Sequence, residues 1–124
     1  MCGIVGFHGH DDRDLLQAMN DQLVHRGPDG DGIFLDGTVG LGHRRLTIID
    51  TSHEADQPMW SADRRFVIIF NGEIYNFREL KAELVAKGHQ FRFQSDTEVI
   101  LAGYAEWGQD VLRHLLGMFA FALY

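Results

Sequence analysis

The chain has 124 residues with 11 basic and 18 acidic side chains, a formal net charge of −7, and 45% hydrophobic content. That is enough for one domain with a buried core, and the acidic balance disfavours nucleic-acid binding through phosphate neutralisation. No apolar run is long enough to span a membrane, the N-terminus lacks the flanks of a signal peptide, and the single cysteine rules out an internal disulfide and fits a reducing cytoplasm.

In chain order, CGIVGF at 2–7 is apolar and β-branched and reads as a strand, broken by HGHDD. From 13 to 25 the residues Leu15, Leu16, Met19, Leu23 and Val24 recur at helical spacing. RGPDGDG at 26–32 reads as a loop. Residues 32–50 read as two strands joined at Asp36-Gly37, a pair suited to the left-handed dihedrals of a tight hairpin. A polar loop at 51–59 precedes RFVIIFNG at 65–72, the most strand-like stretch. Asn76 with Glu79, and Ser95 with Glu98, have the spacing of capping boxes. The first opens a helix through Leu80, Leu84 and Val85 to Gly88, the second a helix through Val99, Ile100, Tyr104 and Trp107 to Gly108. Between them 89–94 reads as a short strand, and 109–116 as a further short helix. The closing GMFAFALY at 117–124 reads as a buried strand, one that needs neighbours and so leads us to expect a domain continuing past Tyr124. Strands in hairpins followed by grouped helices give an α+β fold with antiparallel sheets.

Several short stretches carry candidate chemistry, each beside a plainer reading. Once Met1 is removed, Cys2 holds a thiol and an α-amino group on one residue, and the amine can take the thiol proton before attack on an acyl carbon. The plainer reading is a small residue in an edge strand. Asn71-Gly72 in FNGE is first read, in isolation, as a hairpin turn. Alternatively its side-chain amide and backbone N–H bind an oxygen that becomes anionic. Arg44 and Arg45 point to opposite faces of a strand, so one of them can face a pocket and bind a carboxylate; the plainer reading is two solvated arginines. Asp96 is explained by the helix start in SDTE but is also placed to receive an ammonium group. HGHDD lacks a second ligand pair for a metal site, and PDGDG has Gly40 where a calcium loop needs its glutamate.

Together and in this order, MCGIVGF, HRGPDGDG, GHRRLTIID, QPM, FNGEIYNFREL, SDTEVIL and GMFAFALY resemble the glutaminase domain of glutamine-hydrolysing asparagine synthetases. These are class II glutamine amidotransferases of the N-terminal-nucleophile type. The resemblance runs from residue 2 to the last residue; Pro28 and the EIYN that follows Asn71-Gly72 favour this subfamily over amidotransferases that make other products. It implies a four-layer α/β/β/α sandwich of two antiparallel sheets, incomplete at the C-terminus. It implies that Cys2 is the nucleophile and that Asn71 and Gly72 form the oxyanion hole. Arg45 is implied to bind the glutamine α-carboxylate, with backbone groups around Leu46 and Ile48 helping to position the substrate. Glu73 and Asp96 are implied to receive the α-ammonium, and Arg26, Gly27 and Pro28 to belong to a loop closing over the pocket.

On this resemblance the chain is expected to be a partial type 2 amidotransferase domain over 1–124, without its synthetase domain. The expected partners are L-glutamine and that synthetase domain, with a homodimer in the longer parent, and no nucleic acid or membrane. No cofactor is expected in this chain, ATP and magnesium belonging to the synthetase domain. The alternative is a module that keeps the fold without turnover, or the glutaminase domain of another amidotransferase.

Overall fold

Two three-stranded antiparallel sheets and three helices account for the chain in a computed structural model that describes residues 1–47 and 53–124. The first sheet has the order β1–β3–β2, from β1 (Gly3–His8), β2 (Gly30–Asp36) and β3 (Val39–Arg45). Asp36 pairs with Val39, so the hairpin turns on Gly37 and Thr38 rather than on Asp36-Gly37. Only Gly37 has a positive φ there, +54°, as in a turn that needs glycine at its first central position. β2 begins inside the stretch expected to be a loop, and β3 ends at Arg45 rather than reaching 50; residues 48–50 lie outside the described residues.

Helix α1 (Arg13–Asp21) lies across the outer face of this sheet. Asp12 caps it by accepting the Leu15 N–H at 2.9 Å. It stops four residues short of the expected His25: past Asp21 the Leu23 and Val24 N–H groups turn to carbonyls three residues back, Asn20 and Asp21, at 3.1 and 3.3 Å. Gly40 and Gly42 let α1 approach β3: a Cβ at Gly40 would lie 3.2 Å from Leu16, and one at Gly42 3.0 Å from Asn20.

The second sheet has the order β4–β5–β6, from β4 (Met59–Trp60), β5 (Val67–Ile74) and β6 (Gly117–Leu123). β5 runs two residues beyond the expected strand. Asn71 pairs with Ala120 and Gly72 with Phe119, so the Asn-Gly pair sits inside a strand and the hairpin reading is overturned. β6 is not buried as expected: it is an edge strand whose residues alternate, with Met118 69% exposed.

Helices α2 (Phe77–Ala86) and α3 (Asp96–Trp107) cover the outer face of the second sheet. Leu80, Leu84, Val99, Ile100 and Leu101 pack there against Ile68, Phe70 and Ile74. Ser95 caps α3, accepting the Thr97 N–H at 3.1 Å, but the expected box with Glu98 does not close, because the Glu98 carboxylate turns to Arg92 and Phe93. Asn76 does not cap α2 with its side chain; its Nδ2 donates to the His114 carbonyl and its Oδ1 accepts from Leu116 N–H, tying the helix start to the lead-in of β6. Residues 89–94 form no strand. The N–H groups of Arg92 and Phe93 are taken by the buried Glu98 carboxylate, at 3.1 and 2.9 Å, instead of by a ladder. The expected helix at 109–116 is a 3₁₀ turn at Gly108–Arg113.

Between the sheets lies a second core of Leu41, Val67 and Ile69, with Ile4, Phe34, Trp60 and Ala122 against it. The layers are therefore α1, sheet, sheet, α2 with α3, an α/β/β/α sandwich as the resemblance implies.

Candidate active site

The inner face of the first sheet carries Leu41, His43 and Arg45 from β3, since side chains two apart share a face. Ile4 pairs with His43 and faces the same interior. Two residues before Ile4, Cys2 brings its thiol to the end of β3. Its Sγ accepts from the Leu46 N–H at 3.4 Å and donates to the Leu46 carbonyl at 3.9 Å. The structure thus sets the Leu46 backbone against the sulfur. Ile48, expected beside it, lies outside the described residues. The Cys2 carbonyl accepts from Arg26 Nε at 3.1 Å, which fixes the backbone of the same residue from the other side.

The two arginines separate as their alternation requires. Arg44 turns to the α1 face, where it pairs with Asp21 and donates to the Asn20 carbonyl at 3.1 Å. Arg45 turns inward and is only 9% exposed. Its Nη1 donates to Asp56 Oδ1 at 2.7 Å, and His53 lies on the other oxygen of that carboxylate at 3.1 Å. Asp56 thus engages one Nη1–H of a guanidinium that carries five N–H donors in all.

The loop from Arg26 to Asp29 is laid along the end of β3. A Cβ at Gly27 would fall 2.4 Å from the Arg44 carbonyl carbon, so the close approach needs glycine. The Asp29 N–H donates to the Arg45 carbonyl at 3.0 Å, and Asp29 Oδ2 accepts the Thr47 N–H at 2.8 Å.

The facing strand β5 presents Val67, Ile69 and Asn71 to the interior. Asn71 Oδ1 is buried and has no hydrogen-bond partner among the described residues. Buried polar groups in native proteins are ordinarily satisfied, so this carbonyl oxygen is not consumed in holding the fold together. Gly72 follows it with φ +149°, pressed on β6. Glu73 is exposed on the next turn of the strand. Asp96, at the first position of α3, accepts the Ile74 N–H at 3.0 Å through Oδ2. Burial pushes its carboxyl above the usual range, and the like charge of Glu73 adds to this, while the N–H groups of Ile74, Asp96 and Thr97 act the other way. Cys2, Arg45 and Leu46 are thus grouped by the first sheet, and Asn71, Gly72, Glu73 and Asp96 by the second.

Sequence reasoning missed three residues. Asp56 orients Arg45. Gln57 accepts the Phe70 N–H with Oε1 at 2.6 Å and donates to Thr97 Oγ1 at 3.4 Å. His43, 1% exposed, lies two residues before Arg45, and its Nε2 has no hydrogen-bond partner among the described residues. The one available signal is strand alternation, which carries His43 to the same face as Arg45.

Burial lowers the His43 pKa to about 4; the Phe70 backbone and the Asp56 carboxylate raise it and the Arg45 charge lowers it, neither enough to reverse the effect of burial. The unfolded chain takes up this proton near pH 6.5, and the folded chain refuses it until about pH 4. Stability therefore falls as pH drops between those two values and levels off below them. For a single group this is worth about 3 kcal/mol. Urea unfolding from pH 7.5 to 4 should show that loss, and His43→Gln should flatten it. Parallel curves for the two proteins would refute the assignment.

HGHDD gathers no ion site in this arrangement: Asp12 caps α1, and His10 stands edge-on to Phe7 at 5.6 Å. Among the described residues no helix is long and apolar enough to cross a membrane.

A family model described as a glutamine amidotransferase domain matches residues 1–124. An asparagine synthetase [glutamine-hydrolyzing] 1 from Bacillus subtilis (strain 168) is 49% identical over 131 residues, which covers 100% of this chain and 21% of the relative. An asparagine synthetase [glutamine-hydrolyzing] 2 from Oryza sativa subsp. japonica is 43% identical, covering 99% of this chain and 21% of the relative. The chain thus spans about a fifth of the length of the curated relatives it matches. In fold it is similar to a glutamine phosphoribosylpyrophosphate amidotransferase from B. subtilis, with a TM-score of 0.81 at 23% identity over 100% of this chain and 35% of that one.

Proposed function

We propose, because this chain belongs to the glutamine amidotransferase domain family, that it hydrolyses L-glutamine to glutamate and ammonia through a thioester on Cys2. The ammonia would pass to a synthetase domain that makes asparagine, as the names of the relatives indicate for those proteins. The observation that carries this reading is the seating of the Cys2 thiol on the Leu46 backbone, one residue from the inward-facing Arg45.

The chemistry follows from the residues. Removal of Met1 frees the α-amine of Cys2, which takes the thiol proton. Arg45 on one side and Asp96 with Glu73 on the other suit the two charges of a free amino acid, and holding both ends delivers the side-chain amide to sulfur. The S–C bond forms and the carbonyl oxygen becomes anionic. The Asn71 side-chain amide and the Gly72 N–H are the donors for it. Collapse breaks the C–N bond, and the leaving nitrogen takes the proton from the α-ammonium and departs as ammonia. Water, deprotonated by the same amine, then cleaves the thioester and restores the thiol. No step calls for a cofactor, and a free thiol nucleophile suits the cytoplasm.

Intact-mass measurement tests this. The purified chain is weighed before and after exposure to an electrophilic glutamine analogue, with glutamine as competitor. A mass lacking methionine, then one adduct on Cys2 that glutamine blocks, is the expected result. A retained Met1, or labelling that glutamine leaves untouched, would refute the reading for this chain.

A further inference from the structure

We propose that Gln57 is a positioning residue for the Asn71 and Gly72 donors, its side-chain amide standing in for a missing residue of β4. The inference deepens the glutaminase reading and rests on it. β4 pairs Met59 with Ile68 and Trp60 with Val67, and no further. The same register continued would set Gln57 opposite Phe70. Pro58 intervenes, and proline has no N–H to give to a ladder. The Gln57 backbone carbonyl is meanwhile pressed on the first sheet, where a Cβ at Gly32 would lie 2.3 Å from it. The side chain makes the ladder bond instead, through Oε1 to the Phe70 N–H at 2.6 Å.

The alternation of β5 gives that bond its meaning. The N–H groups of Val67 and Tyr75 point to the β6 side, onto the carbonyls of Tyr124 and Leu116. Phe70, Gly72 and Ile74, out of phase with them, point their N–H groups to the opposite edge. On that edge Gln57 takes Phe70 and Asp96 takes Ile74. The Gly72 N–H lies between these two caps, at the end where β4 has run out. Gln57 also donates to Thr97 Oγ1, beside Asp96, so one amide ties the donor strand to the start of α3. A shift of about 1 Å in such donors is enough for a rate loss near a hundredfold.

Two variants of the full chain separate positioning from simple packing. Gln57→Met removes both bonds, whereas Gln57→Glu keeps an acceptor for the Phe70 N–H. Gln57→Met should lower kcat for glutamine by about 10–100-fold with KM within about threefold, since the loss falls on the transition state. Gln57→Glu should recover kcat to within about fivefold of the parent. Amide hydrogen exchange at Phe70 should quicken in Gln57→Met and not in Gln57→Glu. Parent-like kcat in Gln57→Met, or equal impairment of both variants, would overturn the proposal. If Gln57→Met does not fold, Gln57→Glu decides alone: kcat near the parent with Phe70 protected supports it, and a loss of either overturns it. If the parent neither turns over glutamine nor is labelled on Cys2, the glutaminase reading fails. Phe70 exchange and the Asn71 side-chain NH2 resonances then decide: both must change in Gln57→Met and not in Gln57→Glu, or the proposal falls.

Discussion

Cys2→Ser should lower glutamine turnover by about a thousandfold or more while leaving the fold intact. The substitution keeps the α-amine, the size and the position, and changes only how readily the side chain becomes an anion and attacks. The Sγ contacts with Leu46, at 3.4 and 3.9 Å, are weak ones that a hydroxyl can replace, and the residue is half-buried. The midpoint of thermal unfolding should therefore move by no more than about 2 °C. Glutamine should still bind, because the groups suited to its two charges are untouched. Turnover, melting temperature and glutamine binding measured on one preparation check this. A serine variant with near-parent turnover would mean that another group attacks the amide.

The second large effect is expected of Gly72→Ala, and it falls on the fold. An alanine Cβ there would lie 2.2 Å from the Met118 carbonyl oxygen and 2.6 Å from the Phe119 Cα, both backbone atoms that cannot swing aside. The φ of +149° is itself foreign to alanine. Relief requires β5 and β6 to part, at a cost of about 3 kcal/mol or more. Gly37→Ala is the fitting comparison: its φ is +54°, but nothing lies within 4 Å of the new Cβ, so only the backbone preference is lost, about 1 kcal/mol. Denaturant unfolding of the two variants should differ accordingly, and labelling on Cys2 should survive only in Gly37→Ala. Equal stabilities would show that β6 yields to Gly72.

Much of the fold follows from local pattern. The hairpin at Gly37, the Ser95 cap and the opposite turns of Arg44 and Arg45 need only strand alternation and turn chemistry. What failed did so where a distant partner overrode a local preference. Asn71-Gly72 has turn chemistry, yet β6 arrives from far along the chain and pairs straight through it, Ala120 on Asn71 and Phe119 on Gly72. Asn76 has the spacing of a cap, yet Leu116 and His114 claim its amide. Residues 89–94 have strand composition, yet the Glu98 carboxylate draws off their N–H groups. The site divides in the same way. Cys2, Asn71 and Asp96 are singled out by their chemistry and order and Arg45 by the family resemblance, and their roles are those proposed above. Gln57 and His43 gain meaning only once the register of β4 on β5 and the face of β3 are known.

The contacts that hold Cys2 at both its sulfur and its carbonyl also set an order of events. The sulfur rests on residue 46 and the carbonyl on Arg26, while Met1 is 65% exposed. An aminopeptidase must draw the first residues into its own groove, which the folded chain opposes by tethering the residue just past the scissile bond. During synthesis neither tether exists at first. At about 5–20 residues per second, residue 46 follows residue 2 by a few seconds. Trimming of Met1 is therefore easiest in that interval on the ribosome, before either contact has formed.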